Sequence, residues 1–183
     1  EILIGLVGSE MCIRDRDIMI KPEIERKFLI NRSAELDSHC IARIEIVQTY
    51  LVKPDPDIQR RVRSMTRDGV CRYYYTEKKF VSPIERQENE REISAEEYNE
   101  LLCQADDSLV PIIKTRRILP YEGQNFEIDS YPFSDELATM ELELENAEQH
   151  ISFPPFVSII KEVTGDKRYS NAVLAANGCF PEN

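Results

Sequence analysis

Polar and apolar residues alternate with a period of two through most of the chain, in segments separated by turn signals. The spacing predicts strands over 22–31, 44–53, 58–67, 71–81, 85–93, 112–121, 124–131 and 138–145. Asp68-Gly69 divides the third strand from the fourth, and Gly123 divides the sixth from the seventh. Both are hairpin signals, because a tight two-residue loop needs backbone at positive φ. Pro54 and Pro56 close the second strand, since proline cannot serve an interior ladder. Ser94-Ala-Glu-Glu97 is a capping box, followed by Tyr98, Leu101, Leu102 and Ala105 at helical spacing. Thr164-Gly-Asp166 leads into a second helical stretch, and a shorter helix fits around 34–42. Eight antiparallel strands with a few flanking helices predict a single-domain α+β fold dominated by a closed or nearly closed β-barrel.

Charge singles out one face of each strand. Residues two apart share a face, which groups Glu23, Glu25 and Lys27 on the first strand and Arg61 with Arg63 on the third. The same rule joins Thr76 with Lys78, and Arg86 with Glu88, Glu90 and Glu92. It also joins Lys114 with Arg116 and Glu127 with Asp129, and sets Glu141, Glu143 and Glu145 opposite Met140, Leu142 and Leu144. Two arrangements satisfy this pattern. The charged faces are the solvent side of an ordinary antiparallel sheet, or they line a hydrated lumen. Like charges so close on one strand repel, and an ordinary surface intersperses the signs. A dry lumen would impose a prohibitive desolvation cost. A wet lumen with both signs suits a polyanion carrying divalent cations, with Lys and Arg on phosphate oxygens and carboxylates on the metal. Alternation alone leaves both arrangements open.

Composition narrows the chemistry. The chain has 183 residues, room for one domain, and a net charge of −11 from 34 Asp+Glu against 23 Lys+Arg. So acidic a chain is unsuited to non-specific nucleic-acid binding. Five cysteines, an odd number with no CxxC (Cys12, Cys40, Cys71, Cys103, Cys179), argue against a disulfide framework or a zinc site and fit a reducing cytoplasm. Only His39 and His150 are present, both in polar, non-periodic stretches, so acid–base or metal chemistry must rest on carboxylates, lysine or tyrosine. No apolar run approaches the roughly 20 residues that span a bilayer. Residues 2–8 are apolar but lack a basic flank, which argues against a signal peptide. Val7–Arg16 resembles a translated sequencing adaptor and Met19 would be a natural start; residues 1–17 are expected to be a non-native extension, with 18–183 the functional domain.

Pro22-Glu-Ile-Glu-Arg-Lys-Phe-Leu29 carries Glu23-x-Glu25-x-Lys27, which resembles the ExExK motif of the CYTH superfamily, the triphosphate tunnel metalloenzymes. Further segments resemble the family in order: Gln48-Thr-Tyr50-Leu, Arg61-Val-Arg63, Thr76-Glu-Lys78 and Arg86-Gln-Glu88-Asn-Glu90. Lys114-Thr-Arg116, Phe126-Glu-Ile-Asp129, Met140-Glu-Leu-Glu143-Leu and Glu162-Val-Thr-Gly-Asp166-x-x-Tyr169 complete the series. The resemblance implies an eight-stranded antiparallel tunnel that binds a triphosphate and needs Mg²⁺ or Mn²⁺. By similarity Glu23, Glu25, Asp129, Glu141 and Glu143 hold metal, while Lys27, Arg61, Arg63, Lys78, Arg86, Lys114 and Arg116 bind phosphate. Water activation falls on Lys27 with Tyr50, or on Lys78, and Glu88, Glu90 and Glu127 complete the lining.

Hydrolysis of inorganic tripolyphosphate is the expected reaction of this compact form, which shows no extra nucleoside-binding region. A class IV-type adenylyl cyclase, a thiamine triphosphatase and a non-catalytic polyphosphate binder are the alternatives. A homodimer is compatible with all of them. Tyr73, Tyr74 and Tyr75 are expected in packing, and Glu92 and Glu145 at a rim or in solvent. Lys167, Arg168 and Tyr169 either close one tunnel mouth or simply start a helix.

Overall fold

The computed structural model describes residues 24–80, 86–146 and 148–182, without the side chains of Phe80, Arg86, Gln87 and Glu88. The expected extension 1–17, Glu23 and the side chains of Arg86 and Glu88 therefore lie outside the described residues. The chain runs β1 (Ile24–Asn31), α1 (Ala34–Ser38), β2 (Ala42–Leu51), β3 (Ile58–Arg67), β4 (Val70–Phe80), β5 (Arg86–Ile93) and α2 (Ala95–Leu102). It continues with β6 (Ile112–Tyr121), β7 (Gln124–Ser130), β8 (Leu137–Leu144), β9 (Ile159–Glu162), a 3₁₀ turn (Lys167–Tyr169) and α3 (Asn171–Asn177). The strands form one antiparallel sheet in the order β5-β4-β3-β2-β6-β7-β8-β1-β9. Side chains from β1 at one end of this order and from β4 and β5 at the other line a common cavity, so the sheet is rolled into a tunnel.

The hairpins form where the sequence placed them. Asp68 and Gly69 take φ of 51° and 78°, and Glu122 and Gly123 take 47° and 77°, the left-handed pair that a two-residue loop requires. β9 is a ninth strand beyond the eight expected. It has only four residues, too few for a periodic signal, and tertiary contacts hold it on β1. Val163 N donates to Lys27 O at 2.8 Å, Lys27 N donates to Thr164 Oγ1 at 2.9 Å, and the Arg26 guanidinium grips Glu162 at 2.8 and 2.5 Å.

The apolar faces of the strands pack outward under covering segments, which leaves the charged faces for the interior. Phe28 and Ile30 of β1, Phe126 and Ile128 of β7, and Met140 and Leu142 of β8 are buried together under Leu36 of α1 and Ile151. Leu51, Val62 and Ile93 pack against Tyr98 of α2, joined by Tyr73 and Tyr75, as expected of a packing role for those tyrosines. Ser94 Oγ accepts from Glu97 N at 3.1 Å to start α2, but the Glu97 carboxylate goes to Arg91 rather than back to the cap. Only half of the capping box forms. No helix among the described residues is long and apolar enough to cross a membrane.

The β3–β4 turn provides a test of backbone geometry. At Gly69 (φ +78°) an added side chain would meet no atom within 4 Å, so only backbone strain opposes one. Gly69→Val is expected to lower unfolding stability by about 1–2 kcal/mol, read from the urea midpoint.

Candidate functional site

The rolled sheet encloses an open cavity of about 960 Å³ lined from eight strands and the start of α3. Alternation carries the functional side chains into it. Val62 is fully buried on the outer face, so Arg61 and Arg63 face the lumen. Lys78 enters from β4, Glu90 from β5, Lys27 and Glu25 from β1, Glu127 from β7, and Glu141 and Glu143 from β8. Gln48 and Tyr50 enter from β2.

At the centre is a compact charge cluster. Lys114 (5% exposed) and Asp129 (0%) meet at 2.5 Å. Asp129 is the register partner of Arg116, which donates to it through Nε and an η nitrogen, both at 2.7 Å. The Arg116 guanidinium also reaches Glu127 and, at 3.1 Å, Glu141. Glu141 in turn lies 2.8 Å from Lys27 Nζ. Three cations and three carboxylates thus neutralise one another in a partly dry setting, which buried charge demands. A second pair, Arg63 with Glu90, stands on the opposite wall, where Thr76 Oγ1 donates to the same carboxylate at 2.8 Å.

The titration shifts follow from this arrangement. Burial would raise Asp129, but Lys114 and Arg116 hold it well below the ordinary carboxylate. Burial would likewise raise Glu141, and Lys27 with the neighbouring cations brings it below its usual value. Glu127, with weaker cationic support, is pushed up by burial. Burial pushes the Lys114 ammonium down, against the pull of Asp129. The Tyr50 phenol is raised by burial.

The expected residues therefore divide by place. Lys27, Arg61, Arg63, Lys78, Lys114, Arg116, Glu25, Glu90, Glu127, Glu141 and Glu143 share the cavity wall with Tyr50. Asp129 sits behind that wall, enclosed by Lys114 and Arg116 rather than facing the open space. Glu145 is exposed at the rim, and Glu92 lies outside with Arg72. Lys167, Arg168 and Tyr169 do not line the cavity: Arg168 pairs with Asp166 and Tyr169 is fully buried, so of the two readings the helix start holds. The next two residues, Ser170 and Asn171, line it instead. Gln48 and Asn171 carried no charge signal, and only their positions in the fold bring them to the site.

Could the wall hold a divalent cation? Glu25 and Glu143 are direct cross-strand partners on the lumen face, and among the described residues neither has an ion-pair partner. Like charges directly opposite are destabilising on their own. An all-carboxylate oxygen set facing water is the donor chemistry of a hard divalent ion. Three acidic, His or Cys side chains do not converge among the described residues; Glu23, on the same face by period, lies outside them.

The CYTH domain model matches residues 21–161. Over 156 residues the chain is 31% identical to an inorganic triphosphatase of Nitrosomonas europaea, covering 84% of this chain and 96% of that one. It is 32% identical, again over 156 residues, to an inorganic triphosphatase of Acetivibrio thermocellus, covering 85% of this chain and 94% of that one. The crystal structure of an inorganic triphosphatase superposes with a TM-score of 0.55 at 30% identity, covering 84% of this chain and 93% of that chain. A Pyrococcus horikoshii protein shares the fold with a TM-score of 0.50 at 19% identity, covering 68% of this chain and 80% of that one.

The central cluster predicts a stability effect. Asp129→Asn leaves Lys114 and Arg116 enclosed without their carboxylate and is expected to cost about 3–5 kcal/mol in urea unfolding.

Proposed function

The chain belongs to the CYTH domain family, and from that premise we propose that it hydrolyses inorganic tripolyphosphate to pyrophosphate and orthophosphate inside the tunnel. The observation that carries this reading is the inward charge pattern, with arginines and lysines on β1, β3, β4 and β6 facing carboxylates on β1, β7 and β8 across one cavity. Enzymes of this family depend on a metal; Mg²⁺ or Mn²⁺ is the proposed ion. Glu25 and Glu143 would hold it, with Glu141 beside them and Glu23 as a further ligand by resemblance. Such an ion neutralises triphosphate charge and polarises the phosphoryl group under attack.

The chain's own residues position and neutralise. Arg61, Arg63, Lys78 and Arg116 take phosphate oxygens, and the entering polyanion competes with Glu90 for Arg63 and with Glu141 for Arg116. Positioning and charge neutralisation are most of what phosphoryl transfer requires. The base must be a group that can lose its proton near neutrality. Lys27 lies 2.8 Å from Glu141 on the lumen wall, a place that suits it to phosphate binding. Tyr50 keeps its proton and serves as a donor to the substrate. Lys78 stands on the β4 wall as a phosphate ligand. Lys114, lowered by burial against the pull of Asp129, is the favoured base: once it has given up its proton, its Nζ would accept one from the attacking water as the terminal P–O–P bond breaks and pyrophosphate leaves. A cytoplasmic site is supported by the free thiols of Cys40, Cys71, Cys103 and Cys179.

A panel of tripolyphosphate, ATP and thiamine triphosphate with Mg²⁺ or Mn²⁺ tests the reading. Orthophosphate and pyrophosphate from tripolyphosphate are expected, and cyclic AMP as the main product from ATP would overturn it. Glu141→Ala is expected to lose metal-dependent turnover. Arg61→Ala removes a charged contact of about 1.5–3 kcal/mol and should raise KM roughly ten- to hundredfold. Because Lys114 is shifted downward, kcat should rise with pH along a limb below the ordinary lysine value of 10.5, and Lys114→Ala should abolish that limb.

A further inference from the structure

Two uncharged amides, Gln48 and Asn171, line the α3 end of the tunnel. Gln48 is 1% exposed, lines the cavity, and among the described residues its Nε2 has no hydrogen-bond partner. The neighbouring Tyr50 hydroxyl is close enough to feel the amide but does not meet hydrogen-bonding geometry with it. A buried donor left unmade is unfavourable, and such groups are rare unless a ligand completes them. Asn171 lines the same cavity, and its Oδ1 accepts from the Tyr131 hydroxyl at 2.8 Å. Tyr131 is 4% exposed and stacked on Phe133, so it holds a fixed position. With Oδ1 engaged, the amide NH₂ of Asn171 is the end left to the cavity. Tyr50 and Ile112 pack with Tyr131 and Leu174 in one cluster, and Ile112 is the register partner of Gln48, which places both amides at one end.

We propose that Gln48 and Asn171 are substrate-binding residues that donate to the oxygens of one phosphoryl group of the bound triphosphate, and that Tyr131 is a positioning residue fixing which end of the Asn171 amide faces it. The proposal rests on the triphosphatase reading. Neutral donors suit this place because they bind oxyanions without drawing Glu141 or Glu143 into ion pairs, and they hold at any pH. The Gln48 Nε2, without a partner among the described residues, is completed by the substrate oxygen.

Kinetics on tripolyphosphate, thermal unfolding, and calorimetric binding of tripolyphosphate in EDTA would be measured together for wild type and variants. Gln48→Leu keeps shape and removes the donor. It should raise KM about tenfold with kcat within about twofold, while the unfolding midpoint stays or rises because an unpaired buried amide is gone. Asn171→Asp keeps the acceptor for Tyr131 but sets a carboxylate against phosphate, and should raise KM more than Asn171→Ala. Tyr131→Phe should raise KM less, and should add nothing further in an Asn171→Ala background. An unchanged KM in folded Gln48→Leu, or a lower midpoint with KM unmoved, overturns the clamp. Additive effects of Tyr131→Phe and Asn171→Ala overturn the positioning role. If wild type binds tripolyphosphate without turning it over, the triphosphatase reading fails, and weakened EDTA binding by the same variants still supports the clamp. If wild type neither binds tripolyphosphate nor turns it over with Mg²⁺ or Mn²⁺, both fall.

Discussion

The enclosed contact of Asp129 with Lys114 and Arg116 is the constraint on which the tunnel depends. Cations to bind a polyanion must be present before the polyanion arrives, and several cations in a confined space repel one another. Asp129, with no exposed surface, fixes two of them at their bases. Because Arg116 and Asp129 are register partners on β6 and β7, the same ladder that builds the sheet sets this ion pair. The register is itself held by the apolar faces, since a one-residue slip would turn Phe126 and Ile128 inward and expel the charges. Packing and site are one arrangement seen from two sides of the sheet.

Much of this was legible as alternation. Arg61-Val62-Arg63 and Met140-Glu141-Leu142-Glu143 announce two-faced strands, and the hairpin at Asp68-Gly69 follows from its dipeptide. Alternation could not say which face was inside. That depended on what covers the apolar face, and the cover comes from distant segments such as α1 and Ile151. The difference between Asp129 and Glu143 was also hidden, as both are acidic residues on lumen faces. Only the cross-strand partners separate them: Arg116 faces Asp129, whereas Glu25 faces Glu143. β9 was hidden for a simpler reason, since four residues held by Arg26 and Thr164 leave no period to read.

The wall is asymmetric in a way that bears on the chemistry. Paired charges fill its middle, an acidic pair stands on β1 and β8, and neutral amides with Tyr50 lie toward α3. On the proposed reading a triphosphate with its cation would resolve each region differently. The metal would relieve the repulsion between Glu25 and Glu143, the phosphates would replace Glu90 and Glu141 as partners of Arg63 and Arg116, and a phosphoryl oxygen would meet the Gln48 amide. Two of these are gains from previously unsatisfied groups and one is an exchange of partners. Exchange would give little net affinity at Arg116, which begins with Asp129, Glu127 and Glu141 as partners. Affinity would then come from the ends, where the described residues leave like charges and an idle donor. A site built this way would bind the metal–triphosphate complex in preference to either component alone, because only the complex would satisfy both ends at once.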